Sequence, residues 1–136
     1  MFNVYCDGIM IHSDSLKTIK IHGAKADIEL NKTGSFVFTI YPEHPYYDLI
    51  QKMKSIITVY QDGYLIFRGR VLDEEMGFYN ERQVSCEGEL AFLLDSIQRP
   101  FEFQGSITEL LQQIITAHNA QVEAEKQFLL GTVTVT

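Results

Sequence analysis

Two hairpin-like stretches in the middle of this chain constrain its fold more than any other feature. Residues 26 to 40 alternate apolar and polar side chains around a bend at Lys32-Thr33-Gly34. Residues 56 to 71 do the same around Asp62-Gly63, a dipeptide typical of two-residue hairpin turns. Because alternation with a period of two places apolar side chains on one face of a strand, the pattern predicts an antiparallel sheet.

Strand patterns continue on both sides of these hairpins. Further strands are predicted at Phe2–Cys6, Ile9–His12, Thr18–Ile21, Ala26–Leu30, Arg82–Glu87 and Thr132–Thr136. Asp7-Gly8 is a turn signal between the first two. Phe36, Phe38 and Ile40 share one face of their strand, and Val84 and Cys86 are expected to point inward.

One helix is clearly indicated, at about residues 106 to 119. Ser106 and Glu109 form the S-x-x-E capping box, in which each side chain satisfies a free backbone N–H of the first turn. An apolar stripe of helical period follows, at Ile107, Leu110, Leu111, Ile114, Ile115 and His118. Shorter helical turns are predicted at Tyr46–Met53, Leu90–Leu94 and Val122–Phe128.

Length and composition fit one globular domain. The chain has 136 residues, of which 46% are apolar and 21% are charged, so it can bury a core without a metal or a disulfide. We predict a mostly β, α+β fold: a small antiparallel β-barrel or sandwich of six to eight strands with one packed helix. Residues 1–136 form this single domain, with a weak sub-boundary near 99–105. A strand that ends on the last residue suggests a fragment of a longer chain.

The charge of the chain excludes some partners. Its net charge of -7 argues against nucleic acid or an anionic membrane as the main partner, since both need a cationic surface. Met1 is followed by neither a basic start nor a long apolar run, so the sequence predicts no signal peptide and no membrane span. We therefore expect synthesis and folding in a cytoplasm.

No catalytic, cofactor or metal site is predicted. The four histidines lack metal-ligand spacing, and His44, between Glu43 and Pro45, is expected to be solvated. The carboxylates of residues 73–75 are interpreted as a solvated strand end, because the alternating ligands of a calcium loop are missing. Cys6 and Cys86 lack any signature of a nucleophile and are interpreted as free thiols, although a disulfide stays open.

Tyrosine and arginine side chains provide candidates for an interface instead. Tyrosine is favoured at protein interfaces because it buries a large area at low entropic cost and keeps a polar tip. Arg68 and Arg70 lie on one strand face and can pair with glutamates of an adjacent strand or of another subunit. The candidate interface residues are Tyr46, Tyr47, Tyr64, Arg68 and Arg70.

Three segments carry a resemblance to a known family. They read LNKTGSFVFTIYPEHPYYDLI from Leu30, ITVYQDGYLIFRGRVLDEE from Ile57 and VSCEGELAFLLDSIQRP from Val84. In this order and spacing they resemble the N-terminal region of phage and prophage tail-tip (baseplate hub) proteins, the siphophage tail-associated or prophage endopeptidase tail family. The resemblance covers the chain from about Ala24 to the end.

The resemblance implies a structural role in the virion tail. It implies a barrel related to those of tail-tube and baseplate proteins, arranged as a ring, a homotrimer in the full-length protein. The ring connects the tail tube or distal tail protein to the tip, with the tape measure protein among its neighbours and DNA only as passing cargo. Two alternatives stay open: a carbohydrate- or nucleic-acid-binding β-barrel module, and the non-catalytic N-terminal part of a cell-wall hydrolase.

Overall fold

The structure is a computed structural model that describes residues 1–134. Its strands are β1 (Phe2–Cys6), β2 (Ile9–Ser13), β3 (His22–Asp27), β4 (Ser35–Ile40), β5 (Ile56–Gln61), β6 (Tyr64–Met76) and β7 (Arg82–Gly88). Its helices are a 3-10 helix at Glu89–Asp95, α1 (Ile107–Asn119) and a 3-10 helix at Ala124–Lys126. None of the helices in residues 1–134 has the length and apolarity that crossing a bilayer requires.

The seven strands form one antiparallel sheet that curls into a half-barrel. Their order is β2-β1-β5-β6-β7-β4-β3, so that β2 and β3 are the two edges. The prediction of a mostly β, α+β fold, a small antiparallel β-barrel or sandwich of six to eight strands, is confirmed, with seven strands in one half-barrel. The curl is open, and both edge strands keep one side without a strand partner in this sheet.

The core lies on one face of the sheet and comes from alternating strand positions. Phe36, Phe38 and Ile40 of β4 are buried together, as predicted, and so are Val84 and Cys86 of β7. Full burial of an aliphatic or aromatic side chain stabilises a fold by roughly 1.5–3 kcal/mol. The period-two pattern of the sequence is therefore the main source of stability of this sheet.

The predicted two-residue turns are present. Asp7 and Gly8, between β1 and β2, have φ values of 50° and 84°, and Asp62 and Gly63, between β5 and β6, have 51° and 85°. Two consecutive positive φ values define the type I′ turn, whose twist matches that of the flanking strands.

The two strands predicted between β2 and β4 are wrong in their bounds. No strand lies at Thr18–Ile21, and β3 covers His22–Asp27 rather than Ala26–Leu30. Gly23 has a φ of 60°, and the pairing with β4 shifts register between His22 and Lys25. This irregularity moves the strand earlier in the chain, and the side chains of residues 28 and 30 lie exposed in the loop that follows.

The connection between β4 and β5 consists of tight turns, so the helical turns predicted at Tyr46–Met53 are wrong. The N–H groups of His44, Tyr47 and Leu49 each donate to the carbonyl three residues earlier. Proline at position 45 cannot donate such a bond. The segment then returns to the sheet, where Met53 N–H donates to the Val71 carbonyl over 2.7 Å.

The C-terminal helix is built as predicted. Glu109 N–H donates to Ser106 Oγ, and Ser106 N–H donates back to Glu109 Oε2, each over 3.2 Å. The shorter turns predicted near Leu90–Leu94 and Val122–Phe128 are 3-10 helices, and only Ala91 and Phe92 of the first are buried. Residues 132–134 form no strand; residues 135 and 136, the rest of that prediction, lie outside the described residues.

The chain divides into two compact units, Met1–Glu89 and Leu90–Thr136. We call them the sheet unit and the helical unit. The division lies before the sub-boundary expected near residues 99–105. That residues 1–136 act as a single N-terminal domain stays a prediction.

Candidate functional site

The five candidate interface residues lie in three different places of the sheet unit. Tyr46 and Tyr47 belong to the connection that precedes β5, whereas Tyr64 follows the turn at the other end of β5. Tyr64 is 78% exposed and Tyr46 is 37% exposed, while Tyr47 is partly buried. The residues therefore do not form one continuous patch, and their role in an interface stays a prediction.

The two arginines of β6 form ion pairs within the chain. Arg70 faces Glu87 across the β6–β7 ladder, and its Nε donates to Glu87 Oε1 over 2.6 Å. Arg68 Nη1 donates to Glu89 Oε2 over 2.9 Å. Arg70 is nearly fully buried, whereas Arg68 keeps about a quarter of its side chain exposed. Arg70 thus forms the predicted cross-strand pair within the chain, whereas the partner of Arg68 is the first residue of the following 3-10 helix.

Arg82 binds several groups of the sheet unit, although it was not among the candidate residues. Its guanidinium donates to the carbonyls of Tyr47 and Ile50, over 2.6 and 2.8 Å, and pairs with Glu74. The guanidinium also lies 5.3 Å from the centre of the Tyr47 ring. Arg82 therefore ties the β4–β5 connection to the sheet. The alternation of β7 could have indicated that Arg82 is buried, because Arg82 lies two residues before Val84 and faces the same side of the strand.

His44 is buried, so the prediction that it is solvated is wrong. Its Nε2 lies 2.7 Å from the Ile11 carbonyl, and its Nδ1 accepts the Tyr46 N–H over 3.0 Å. Because Nδ1 is an acceptor here, Nε2 carries the proton and donates it to the carbonyl. The ring thus binds a polar group of the edge strand β2, which protects that edge.

Two other histidines are also held at both ring nitrogens. His118 is fully buried in the helical unit, where Nδ1 lies 2.7 Å from Ser96 Oγ and Nε2 lies 2.9 Å from the Lys126 carbonyl. His12 Nδ1 accepts the Ile21 N–H over 3.1 Å, and Nε2 lies 3.1 Å from Asp14 Oδ1. A ring with both nitrogens bonded has no free atom to act as a base or a metal ligand.

Asp14 is a structural acceptor at the end of β2. Its Oδ2 accepts the Phe2 N–H over 2.8 Å, and this bond, together with His12, lowers the pKa of the carboxyl group below its usual range. Asp73 has a lowered pKa because its carboxylate accepts hydrogen bonds from Lys52 and the Glu74 N–H. Both carboxylates are thus ionised and bonded, as structural groups are.

The two cysteines are buried, free thiols. Burial raises the pKa of Cys6 to about 11 and that of Cys86 to about 12. Both therefore stay protonated and unreactive near neutral pH. In residues 1–134, no three His, Cys, Asp or Glu side chains are grouped so that they could hold a metal ion.

Two apolar surfaces of the sheet unit remain open to solvent. The first, which we call the apolar groove, is a cavity of about 440 Å³ on the core face, beside the N-terminal end of β1. Its apolar lining includes Phe2, Ala24, Ala26, Ile28, Phe36 and Ile66. The second, the apolar tip, lies at the β6–β7 turn and consists of Met76, Phe78 and Tyr79, which are 64%, 91% and 75% exposed.

The helical unit carries an open groove of its own. It has a volume of about 680 Å³ and lies between residues 97–101 and the C-terminal half of α1. The side chain of Gln121 links the two sides of the groove, because it accepts the Ile97 N–H and donates to the Ile97 carbonyl, each over 3.0 Å. The groove holds glutamine side chains and one arginine, Arg99, but no carboxylate or imidazole.

Comparison with known proteins finds similarity at the level of structure and not of sequence families. No protein-family model and no curated protein matches this sequence. Among solved structures, the chain is similar to the 43 kDa tail protein of prophage MuSo2 from Shewanella oneidensis, with a TM-score of 0.53 and 18% sequence identity. The match covers 87% of this chain and 37% of that protein.

The likeness establishes the fold. At 18% identity it carries no residue roles from one protein to the other, and this chain spans little more than a third of the length of the tail protein. The covered part nevertheless includes most of the strands described above, because it amounts to 87% of the chain.

Proposed function

We propose that this chain is a structural part of a phage or prophage tail, at the tail tip or baseplate hub. The observation that carries the proposal is the fold shared with a prophage tail protein over 87% of the chain. The resemblance of residues 30–50, 57–75 and 84–100 to tail-tip hub proteins supports the same role. In this role the chain acts in the virion tail after synthesis in the host cytoplasm.

The polar chemistry of the described residues supports a structural rather than an enzymatic role. The best-bonded polar side chains bind backbone carbonyls or neighbouring side chains of the same chain, as Arg82, His44 and His118 do. Both thiols are protonated and buried. Such groups fix connections to a sheet or a helix, whereas a catalytic group needs an unoccupied atom facing a substrate.

In the proposed assembly, copies of the chain form a ring, a trimer in the full-length protein. Tyr46, Tyr47, Tyr64 and Arg68 are the proposed contact residues, whereas Arg70, the fifth candidate, is buried against Glu87 and holds the β6–β7 ladder. The tube or distal tail protein and the tape measure protein are the proposed neighbours. A closed ring repeats one modest contact by symmetry. The net charge of -7 per chain suits a channel wall that DNA passes without binding, because like charges repel.

The mass of the purified chain in solution tests the ring. We expect sedimentation equilibrium to show a species of three chain masses at high concentration, and negative-stain images to show an annulus. Tyr64→Ser should weaken the trimer while the melting temperature stays within 1–2 °C of the parent, since the side chain is exposed (about 0.5 kcal/mol or less). A chain that stays monomeric at every concentration, together with lysis of cell walls in a zymogram, would contradict the proposal.

A further inference from the structure

The two edge strands of the sheet are protected to different extents. Two backbone groups of β2 bond to segments outside the sheet: the Ile11 carbonyl lies 2.7 Å from His44 Nε2, and the Ser13 N–H donates to the Ile19 carbonyl over 3.5 Å. On β3, by contrast, no strand of residues 1–134 pairs with the side that faces away from β4, and all six side chains are exposed. An unpaired edge is a template for another strand, because its N–H and C=O groups are already aligned for a ladder. A further strand can therefore pair at β3.

The side chains of β3 have two different faces. Ala24 and Ala26 line the apolar groove together with Ile28, so the alternation of the strand places Lys25 and Asp27 on the opposite face. Lys25 Nζ lies 3.7 Å from Asp27 Oδ2, and the two side chains are 74% and 67% exposed. An ion pair that is so exposed is weak. Both charges can therefore exchange this contact for one with another chain at little cost.

The order of these charges is complementary to itself. When two antiparallel copies of β3 pair around Ala26, residue 25 of each copy lies directly opposite residue 27 of the other, on the same face. Lys25 of one copy then meets Asp27 of the second copy, and the two-fold symmetry repeats this pair. Opposite charges that face each other across a ladder stabilise it, whereas like charges destabilise it.

The same side chains disfavour every neighbouring register. A shift of two residues places either Lys25 opposite Lys25 or Asp27 opposite Asp27, and a shift of one residue brings each charge onto the alanine face. In the register centred on Ala26, Ile28, which is 62% exposed, lies opposite Ala24 of the second copy. Charges on an edge strand usually prevent pairing, but here their order selects one partner and one register.

We propose that β3 of one copy pairs antiparallel with β3 of a second copy, in the register centred on Ala26. The sheet of each copy continues into the other across a two-fold axis, so the contact is isologous. It uses none of the residues proposed for the ring. It goes beyond the proposed function, because a three-fold ring contains no two-fold axis and this contact joins a copy to one outside its own ring. A contact of one short strand is small and transient, so trapping is the way to measure it.

Disulfide trapping at the centre of the contact tests the proposal. In this register the two Cα atoms of residue 26 lie about 4.5–5.5 Å apart, which a disulfide can bridge. Ala26→Cys protein is oxidised mildly at pH 8, and the 26–26 disulfide is followed by non-reducing electrophoresis and mass spectrometry. The native thiols of Cys6 and Cys86 do not interfere, because burial raises their pKa to about 11 and about 12.

Ala24→Cys is the matched control, because residue 24 is exposed on the same strand. In the proposed register it faces residue 28 of the second copy, so the two copies of residue 24 lie about 13 Å apart along the ladder, too far for a disulfide. We expect Ala26→Cys to cross-link at least about tenfold faster than Ala24→Cys, since pairing raises the local concentration of the thiols. Equal rates at protein concentrations up to about 1 mM overturn the inference.

Charge exchange tests the register in the Ala26→Cys background. Lys25→Asp and Asp27→Lys should each lose the tenfold advantage, because like charges then face each other. An equimolar mixture of the two variants should recover it, as a cross-link between one chain of each kind, and so should the double exchange Lys25→Asp/Asp27→Lys. The positions are exposed, and circular dichroism checks that every variant keeps its fold. A mixture that cross-links no faster than either variant alone contradicts the proposal.

The ring and the β3 contact are separated by their own variants. Tyr64→Ser should weaken the trimer and leave the rate of the 26–26 cross-link unchanged. An intact trimer without the cross-link removes only the β3 contact, and a cross-linked chain that never forms a trimer removes only the ring. A monomer that also fails to cross-link contradicts both.

Discussion

The sheet unit and the helical unit reach a folded state by different means. The sheet unit buries a continuous set of apolar side chains from all its strands except β3, and its polar groups secure the connections. In the helical unit the stripe of α1 is only half-buried, and the one fully buried residue of that helix is a histidine. Packing from distant strands stabilises the first unit, whereas side-chain bonds to nearby backbone stabilise much of the second.

The largest effect is expected in the core of the sheet unit. Phe38→Ala removes a fully buried ring, and such a truncation costs about 3–5 kcal/mol through lost burial and the cavity that remains. Urea unfolding followed by tyrosine fluorescence measures the loss. Phe78→Ala, at the exposed tip, is the matched control and should change stability by less than about 0.5 kcal/mol. Equal losses for the two would show that Phe38 is not a core residue.

The second effect concerns the polar bonds that hold the β4–β5 connection. Arg82→Met leaves two carbonyls and the Glu74 carboxylate without their donor, which we expect to cost about 2–4 kcal/mol. Amide hydrogen exchange should show the loss first in residues 41–55. Arg99→Met replaces an exposed arginine and should leave the exchange of this segment unchanged; similar exchange in both variants would contradict the role of Arg82.

The connection also shows where reasoning from sequence ends. Tyr46, Leu49, Ile50 and Met53 have the spacing of a helix, but the carbonyls of residues 47 and 50 bond to Arg82, more than thirty positions away. A helix would need those carbonyls for its own ladder. His44 is similar, because its partner is a carbonyl of β2. Local spacing contains no information about such distant donors and acceptors.

Features encoded by neighbouring residues were predictable. The Asp62-Gly63 turn, the alternation of β4 and β7 and the Ser106–Glu109 capping box each depend on a few adjacent positions, and all are present. The surfaces available for contact were only partly foreseeable. Gly77 and Asn80, which are typical turn residues, place Phe78 and Tyr79 in a turn, but the exposure of both rings depends on the packing of the whole sheet.

A smaller, local effect is expected in the helical unit. His118→Leu keeps the bulk of the side chain but leaves the Lys126 carbonyl without its donor and removes one of the two hydrogen bonds of Ser96 Oγ, at a cost of about 1–3 kcal/mol. Hydrogen exchange should rise in residues 96–128 while β4 and β7 stay protected. Gln112→Leu, on the exposed side of the same helix, is the control. Loss of protection across the whole chain would mean that the two units unfold together.

The smallest effect is a dependence of stability on pH that arises from Asp14 in the sheet unit. Folding lowers the pKa of Asp14, first because its carboxylate accepts the Phe2 N–H and then because of His12. A group with a lowered pKa stabilises the fold above its unfolded pKa, near 3.9, and this contribution is lost as the pH falls through the folded value. Asp14→Asn should therefore lower the urea midpoint at pH 6 and have little effect near pH 2. Asp48→Asn, at another exposed carboxylate, controls for the change in net charge. If the urea midpoints of Asp14→Asn and the parent differ by the same amount at every pH, ionised Asp14 does not contribute to stability.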